Sequence, residues 1–332
     1  MIDWTLRKVA RLAAPGGRNG RLAILLYHRV LPTVDALNGW DVTAAEFEAQ
    51  MAALRAHFSP LPMLEALDRL ATRSLPPRAV CVTFDDGYAD NAEVALPILQ
   101  RLQMSATFFI ATGYVDGGRM WNDTVGEAVR AWRAPAPDLG WGPIAMDTAA
   151  QKRAAIALIL PRWKYLPAAE REARAKSLAH AAGLAPASSL MLTSTQVRTL
   201  RAAGMEIGAH TVTHPILARL DDADATREIV DSGRYLSDLL REPVPLFAYP
   251  NGRPGADYGP RDVAAVCAAG YRAAVSTAWG VAGSAVDTYQ FPRFTPWDRA
   301  PRRFSLRLMA NFRNVTPQQV ATAAAAAAPG AV

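Results

Sequence analysis

The sequence predicts an α/β barrel of seven or eight parallel strands with a helical insertion, and three observations lead there. Short apolar runs alternate with amphipathic helical stretches along the 332 residues, a pattern that reads as βα units and a largely parallel sheet. The number of such units over this length favours a closed barrel over an open sheet. The distinctive polar residues, His28, Asp85, Asp86, His210, His214 and Tyr249 through Gly252, fall where strands give way to loops, which is where a barrel assembles its site.

Taken in order, "RLAILLYHRV" (21–30) reads as a buried strand. "TAAEFEAQMAALRAHF" (43–58) reads as a helix, with Thr43 and Glu46 as a capping box and Phe47, Met51 and Leu54 at helical spacing. "RAVCVTFDDG" (78–87) is the next strand. "DNAEVALPILQRL" (90–102) is a helix with a kink expected near Pro97, and Asp90 is the candidate cap of that helix. "SATFFIATG" (105–113) is a strand. From about 120 to 192 the chain is Ala- and Arg-rich, with helical patterns and few strand signals, so this stretch is predicted as a helical insertion. The strand–helix beat then resumes. Helix 193–204, with Thr193 and Gln196 able to cap, is followed by strand 205–214, a helix at roughly 222–240 and strand 245–252. Helix 260–270, strand 271–277, strand 288–294 and a short helix near 302–312 complete the pattern.

The domain reading is a basic amphipathic segment (1–20), one barrel domain (21–312) carrying the insertion, and a low-complexity tail (313–332), whose stretch "TAAAAAAPGAV" (322–332) is expected to fray. No second domain with its own core is expected. In residues 1–20, Ile2, Leu6, Val9 and Ala13 can share one face, with Arg7, Lys8 and Arg11 on the remainder. Such a stretch can rest on anionic lipid, and an ordinary docking helix is the alternative.

Composition narrows the function. The chain is 51% hydrophobic and 20% charged, and no apolar run reaches the roughly 20 residues that span a bilayer. The N-terminus has no continuous apolar stretch of the secretory kind. The expected address is the cytoplasm, with peripheral contact at the inner face of the membrane as an extension. Two cysteines, Cys81 and Cys267, both in apolar runs, are expected to be buried reduced thiols. The net charge of +6 is spread over scattered arginines with no nucleic-acid-binding motif, so a solvated basic surface is expected and no nucleic-acid partner.

"TFDDG" places Asp85 and Asp86 side by side at the end of a buried strand, where two like charges repel unless something positive compensates. "HTVTH" places His210 and His214 four apart at another strand end, two of only five histidines in the chain. A divalent cation held by two imidazoles needs a third ligand, and one of the two carboxylates can supply it. Catalytic zinc keeps three protein ligands and an open position for water, and the second carboxylate then stands ready to take a proton from that water. Neighbouring side chains of a strand alternate faces, so the chain must turn here, and Gly87 gives it freedom to do so.

"TFDDG", "HTVTH" and "FAYPNGRPGADY", in this order, resemble the polysaccharide deacetylase family, also called the NodB-homology domain or carbohydrate esterase family four. The likeness runs from about Arg21 to Trp297 and includes the weaker landmarks "LLYHRVLP", "ATFFIATG", "MWND" and "FPRF". The resemblance implies a distorted (β/α) barrel and a metal-dependent hydrolase that removes acetyl groups from N-acetylhexosamine units. It implies Asp86, His210 and His214 as metal ligands and Asp85 as general base. It implies that Tyr249, Pro250, Asn251 and Gly252 line the groove, with the Tyr249 backbone N–H as oxyanion donor. Many members carry a catalytic histidine near the C-terminus, yet no histidine follows His214 here. "LLYHRV" resembles the variant of poly-N-acetylglucosamine deacetylases, with an early acid histidine, which assigns that role to His28.

Three further residues are candidates. Arg293 in "FPRF" can hold Asp85 by a bidentate pair, with a surface salt bridge as the alternative. Arg253 in "NGRPG" can touch sugar or a lipid phosphate, or simply solvate. Trp121 can stack on a sugar face or pack under a helix. His57 and His180, near helix ends, are given no chemistry. Zinc suits the ligand set, and Co2+, Ni2+ or Fe2+ can occupy it too. The expected partner is an N-acetylated amino-sugar glycan, polymeric, oligomeric or lipid-linked, as in exopolysaccharide or cell-envelope biosynthesis. The competing readings are a glycoside hydrolase, for which adjacent carboxylates are badly placed, and a non-catalytic glycan-binding protein, which needs no Asp-His-His set.

Overall fold

The computed structural model describes residues 14–133, 135, 137–185 and 190–322. The amphipathic pattern expected over residues 2–13 lies outside the described residues.

At the centre is a seven-stranded parallel sheet. Its strands are β1 (Leu22–Tyr27), β2 (Ser59–Pro60), β3 (Ala79–Phe84), β4 (Thr107–Ile110), β5 (Glu206–Ala209), β6 (Leu246–Ala248) and β7 (Ala273–Val275). The spatial order is β1-β3-β4-β5-β6-β7, with β2 beside the start of β3. β1 and β3 pair over their whole length, from Leu22 opposite Ala79 to Tyr27 opposite Phe84, and every residue of both is buried. That is why they read as unbroken apolar runs rather than alternating ones. The stretch predicted as a strand at 288–294 is instead an extended crossing that closes the ring. Phe291 exchanges bonds with β7, Phe291 N to Ala274 O at 2.9 Å and Ser276 N to Phe291 O at 2.8 Å, and Phe294 with β1, Phe294 N to Ile24 O at 2.7 Å and Leu26 N to Phe294 O at 3.0 Å. The first and last parts of the barrel are thereby neighbours.

The helices are α1 (Ala44–His57), α2 (Met63–Ala71), α3 (Leu96–Arg101), α4 (Trp121–Ala131), α5 (Ala149–Trp163), α6 (Ala168–Ala181), α7 (Ser194–Ala202), α8 (Asp222–Leu240), α9 (Pro260–Ala268) and α10 (Pro301–Asn311). The capping boxes of α1 and α7 form as the sequence suggests, Thr43 with Glu46 and Thr193 with Gln196. Pro97 sits in the first turn of α3, and the break before it is a π-helical turn over Asn91–Ala95, the local slack that a residue without an N–H permits. Asp90 does not cap that turn. It is buried and binds Arg29 Nε at 2.7 Å and Val30 N at 3.2 Å. The sequence reading missed α2 because its cap is tertiary: Glu206 at the start of β5 accepts from Met63 N at 2.7 Å and Leu64 N at 2.9 Å.

The barrel core is not the only apolar cluster. α4, α5 and α6 enclose their own, built on Val125, Val129, Trp132, Ile156, Ile159, Trp163 and Leu178. Three amphipathic helices thus bury their stripes on one another. Cys81 is buried but Cys267 is exposed, because the apolar run around it is the outer turn of α9. The start of the tail is tied to the barrel: Val320 N donates to Gln290 Oε1 at 2.8 Å and Gln318 Nε2 to Pro254 O at 3.3 Å. Residues 323–332 lie outside the described residues. No described helix is long and apolar enough to cross a membrane.

Candidate metal centre and its cavity

The site is assembled at the C-terminal ends of β3, β5 and β6. Asp85 still belongs to the ladder, its N–H donating to Tyr27 O at 2.9 Å. The next residue, Asp86, has φ of 75° and Gly87 has φ of 84°. That left-handed turn lets two successive carboxylates serve one site, which a continuing strand forbids. At Gly87 a Cβ would lie 3.0 Å from Ile110 Cγ2, so both the backbone angle and the space favour glycine.

Arg293 resolves half of the charge problem. Its Nη1 and Nη2 donate to Asp85 Oδ1 and Oδ2, both at 2.6 Å, and its Nε donates to Ser276 O at 2.9 Å. Both side chains are buried. Burial pushes the Asp85 carboxyl up, and Arg293 together with His210 outweighs this, so the group is held below the usual carboxylate range.

Asp86 faces the histidines. Its Oδ1 lies 3.4 Å from His210 Nε2 and 3.3 Å from His214 Nε2. Burial pushes Asp86 up too, but the two imidazoles leave it well below the usual range. His210 Nδ1 is 2.7 Å from Ala248 O. A carbonyl only accepts, so Nδ1 carries the proton and Nε2 faces the carboxylate. Burial pushes the His214 imidazole down to about 4, which favours the neutral ring that a metal ligand requires.

The turn that carries His214 is strained and braced. Thr211 and His214 have φ of 65° and 54°. Glu228 of α8 accepts from Val212 N and Thr213 N, both at 2.8 Å, and from Thr213 Oγ1 at 2.6 Å. Sequence reasoning did not single out Glu228; an acid one turn inside an amphipathic helix carries no local sign of this task.

These residues fit a divalent cation. The three ligand atoms all lie within 4.8 Å of one another. Tetrahedral bonds of about 2.0–2.1 Å place ligand atoms about 3.3–3.4 Å apart, close to the two Asp86–histidine separations. Asp86 Oδ1 is buried and has no hydrogen-bond partner among the described residues. A buried carboxylate oxygen left without a donor is costly unless a ligand completes it.

The centre opens into a cavity of about 500 Å³. His28 lines it together with Asp85, Asp86, His210, His214 and Asn251. Other expected residues are elsewhere. Tyr249 is fully buried with its ring stacked on Tyr258, and its N–H donates to Val275 O at 3.2 Å. It is the next rung of the sheet, and its backbone N–H is already taken. Asn251, two residues on, has left the ladder with φ of 58°, and its N–H meets no acceptor among the described residues. The signal was in the sequence: Asn-Gly marks a turn in which Asn takes the left-handed region. Pro250 and Gly252 are buried and shape this turn without lining the cavity. Arg253 is exposed and outside the cavity lining. Trp121 is buried among the insertion helices with the Arg171 guanidinium 5.0 Å from its ring, so it packs and is not a sugar platform.

Residues 72–274 match the family described as polysaccharide deacetylase. A putative polysaccharide deacetylase of Bacillus subtilis, YxkH, is 23% identical over 275 residues, covering 82% of this chain and 70% of that protein. The Streptococcus pyogenes deacetylase PplD in complex with acetate superposes with a TM-score of 0.60 at 21% identity, covering 89% of this chain and 99% of that one. IcaB from Ammonifex degensii superposes with a TM-score of 0.57 at 20% identity, covering 90% and 98%.

Proposed function

Since the chain belongs to the polysaccharide deacetylase family, and is a hydrolase of amide bonds, we propose that it removes N-acetyl groups from N-acetylhexosamine units by a metal-dependent route. The substrate is a polysaccharide, oligosaccharide or lipid-linked glycan precursor of the kind used in exopolysaccharide or cell-envelope assembly. The observation that carries the reading is the unpartnered Asp86 Oδ1 set against two imidazole nitrogens, beside a second carboxylate kept ionised by its own arginine.

In this reading Asp86, His210 and His214 hold the ion, with zinc the best match to the donor set. A divalent cation there supplies Lewis acidity, activating water and polarising the acetamide carbonyl. Asp85 accepts the proton of the attacking water, and Arg293 keeps that carboxylate charged and oriented. The Asn251 N–H, rather than that of Tyr249, donates to the carbonyl oxygen as negative charge develops. His28, on the same cavity wall, gives its proton to the leaving nitrogen, so acetate and a free amine result. Gly87 and Glu228 act only by fixing the turns that carry Asp86 and His214.

Acetate release from chitooligosaccharides, β-1,6-linked N-acetylglucosamine oligomers and lipid-linked sugars, with and without chelator, tests the proposal. Activity is expected on at least one substrate and is lost to the chelator. Asp85→Asn keeps the metal and loses turnover by about 10²-fold or more, whereas His210→Ala loses both. Full activity of Asp85→Asn, or undiminished activity in excess chelator, refutes the mechanism.

A further inference from the structure

A second cavity, of about 490 Å³, lies in the helical insertion and has no part in the chemistry above. It sits where α4 ends and α5 begins, with Arg130, Arg133 and Lys152 in its lining. Leu37 and Arg130 belong to its wall and to that of the active-site cavity, so the two adjoin. Its volume is in the range of small-molecule sites.

The charges around it do not balance. Arg130 is neutralised: it binds both oxygens of Asp35, at 3.0 Å and 2.5 Å, and Glu127 Oε1 at 3.2 Å. Lys152 and Arg133 are not. Lys152 is only 8% exposed, a depth at which lysine normally has an acid for a partner. Its Nζ instead donates to Arg130 O at 2.7 Å and Trp132 O at 3.2 Å. Arg133 Nη1 donates to the same two oxygens, at 3.2 Å and 2.9 Å. Neither cation pairs with a carboxylate among the described residues. Two full positive charges are thus gathered on one helix C-terminus, which offers about half a negative charge.

The rest of the lining does not make up the difference. Asp147 is its one acid and stands exposed on the rim. Burial, then Arg133 and Arg130, push the Lys152 ammonium down, and Asp147 opposes them with the smallest effect of the four. The facing wall includes Ala149, at the N-terminal and therefore positive end of α5. Like charges held this close call for an anion. The donors for one are present: an ammonium has three N–H groups, of which two are used, and Arg133 keeps Nε and Nη2. Leu37, Trp132 and Met146 give the same cavity an apolar side.

We propose that this pocket binds a small phosphate monoester, its phosphate on Lys152 and Arg133 and its organic part along Leu37, Trp132 and Met146. A phosphate monoester carries about −1.5 to −2 charges at neutral pH, which matches the two uncompensated cations. Its oxygens suit a point ammonium beside a planar guanidinium. The pocket contains none of the residues assigned to catalysis, so it stands or falls independently of the deacetylase reading.

Calorimetric titration of the metal-loaded protein with glucose 1-phosphate and with inorganic phosphate, at neutral pH and constant ionic strength, tests the site. Glucose 1-phosphate has no acetamide and so does not report on the reaction next door. Both ligands are expected to bind saturably, the ester more tightly, and both to remain bound after the metal is chelated. Arg133→Gln and Lys152→Met each weaken the ester about tenfold or more. Lys152→Met also removes a cap from α4; should it fail to fold, Arg133→Gln, at an exposed side chain, decides alone. The pocket is overturned if neither ligand saturates, or if Arg133→Gln binds the ester like wild type. Loss of binding in chelator overturns it too, by placing the anion on the metal centre. So does affinity that vanishes at about 0.15 M NaCl, the mark of diffuse attraction. Equal affinity for the two ligands overturns the ester assignment, because the apolar side would then contribute nothing.

Discussion

Replacing Arg293 by methionine isolates the electrostatic problem on which this site is built. The guanidinium makes two bonds of 2.6 Å to Asp85, one of 2.9 Å to Ser276 O and one of 3.3 Å to Thr83 Oγ1, all buried. Methionine fills much of the volume and supplies no donor. The carboxylate is then buried without its counterion, and breaking a buried pair from one side costs about 3–5 kcal/mol. At about 2 °C or more per kcal/mol for a protein of this size, the melting temperature falls by roughly 6 °C or more. The pH dependence has a definite sign. In the wild type Asp85 is depressed, so its contribution is present above the unfolded value of about 4 and fades as pH falls through the folded one. In Arg293→Met the burial that raises Asp85 is opposed only by His210 and His28, so Asp85 rises relative to the wild type, and the stability deficit is greatest at neutral pH and shrinks on acidification toward about pH 4. Urea unfolding in chelator, from pH 4 to 8, reads this without interference from bound metal. The second substitution Asp85→Asn should recover about 1–3 kcal/mol in the Arg293→Met background. A deficit below about 1 kcal/mol, or one that does not depend on pH, or no recovery in the double variant, would show that the pair is not what makes the doubled carboxylates tolerable.

Other outcomes follow from the same geometry. Glu228→Ala removes the brace of the His214 turn without touching the ion, so metal affinity should fall about 10–100-fold, read by competition with a zinc indicator; unchanged affinity would place the brace elsewhere. Asn251→Gly keeps the backbone N–H and relieves the left-handed strain, so activity persists, whereas Asn251→Val adds strain of about 1–2 kcal/mol and lowers kcat; equal kcat in the two variants counts against the Asn251 donor. Burial, with Asp86 next in importance, pushes the Asp123 carboxyl up to about 7. The native state therefore binds a proton that the unfolded chain has already released above about pH 4, and stability declines as pH rises from there to about 7. Asp123→Asn should flatten that decline in chelator-treated protein, and a slope identical to wild type would rule the group out as its source.

The barrel was legible because its strongest signals are local. Continuous apolar runs at 22–27 and 79–84, too short for helices, read as strands buried on both faces, and the boxes at Thr43 and Thr193 announce helices by hydrogen bonds three residues long. The doubled aspartates and paired histidines were legible because a buried charge must have a partner, whatever the fold. What the sequence hid is whatever depends on a distant atom. α2 starts where Glu206 of β5 reaches it. Trp121 is removed from the cavity by Arg171 of another helix. The motif around Tyr249 is legible, but the ladder bond that occupies its N–H, to Val275 O, is not.

The same division explains why the site is costly to build and hard to read. Asp86, Thr211, His214 and Asn251 all have positive φ without being glycine, and they sit in the loops leaving β3, β5 and β6. Each such angle costs on the order of 1–2 kcal/mol, most acutely at Thr211, whose branched Cβ fits that region worst. A chain keeps such angles only where its surroundings overrule them. Here they do: Thr211 Oγ1 donates to His210 O at 2.5 Å and accepts from His214 N at 3.1 Å, and Glu228 holds Val212 N and Thr213 N. Thr277 Oγ1 donates to Asn251 O at 2.7 Å. The bracing groups come from α8 and from the segment after β7, so side chains far along the chain from the two acids fix the turns that carry His214 and Asn251. It follows that the candidate ligands could be named from two short motifs, but the rigidity that makes them a site belongs to residues that no motif contains.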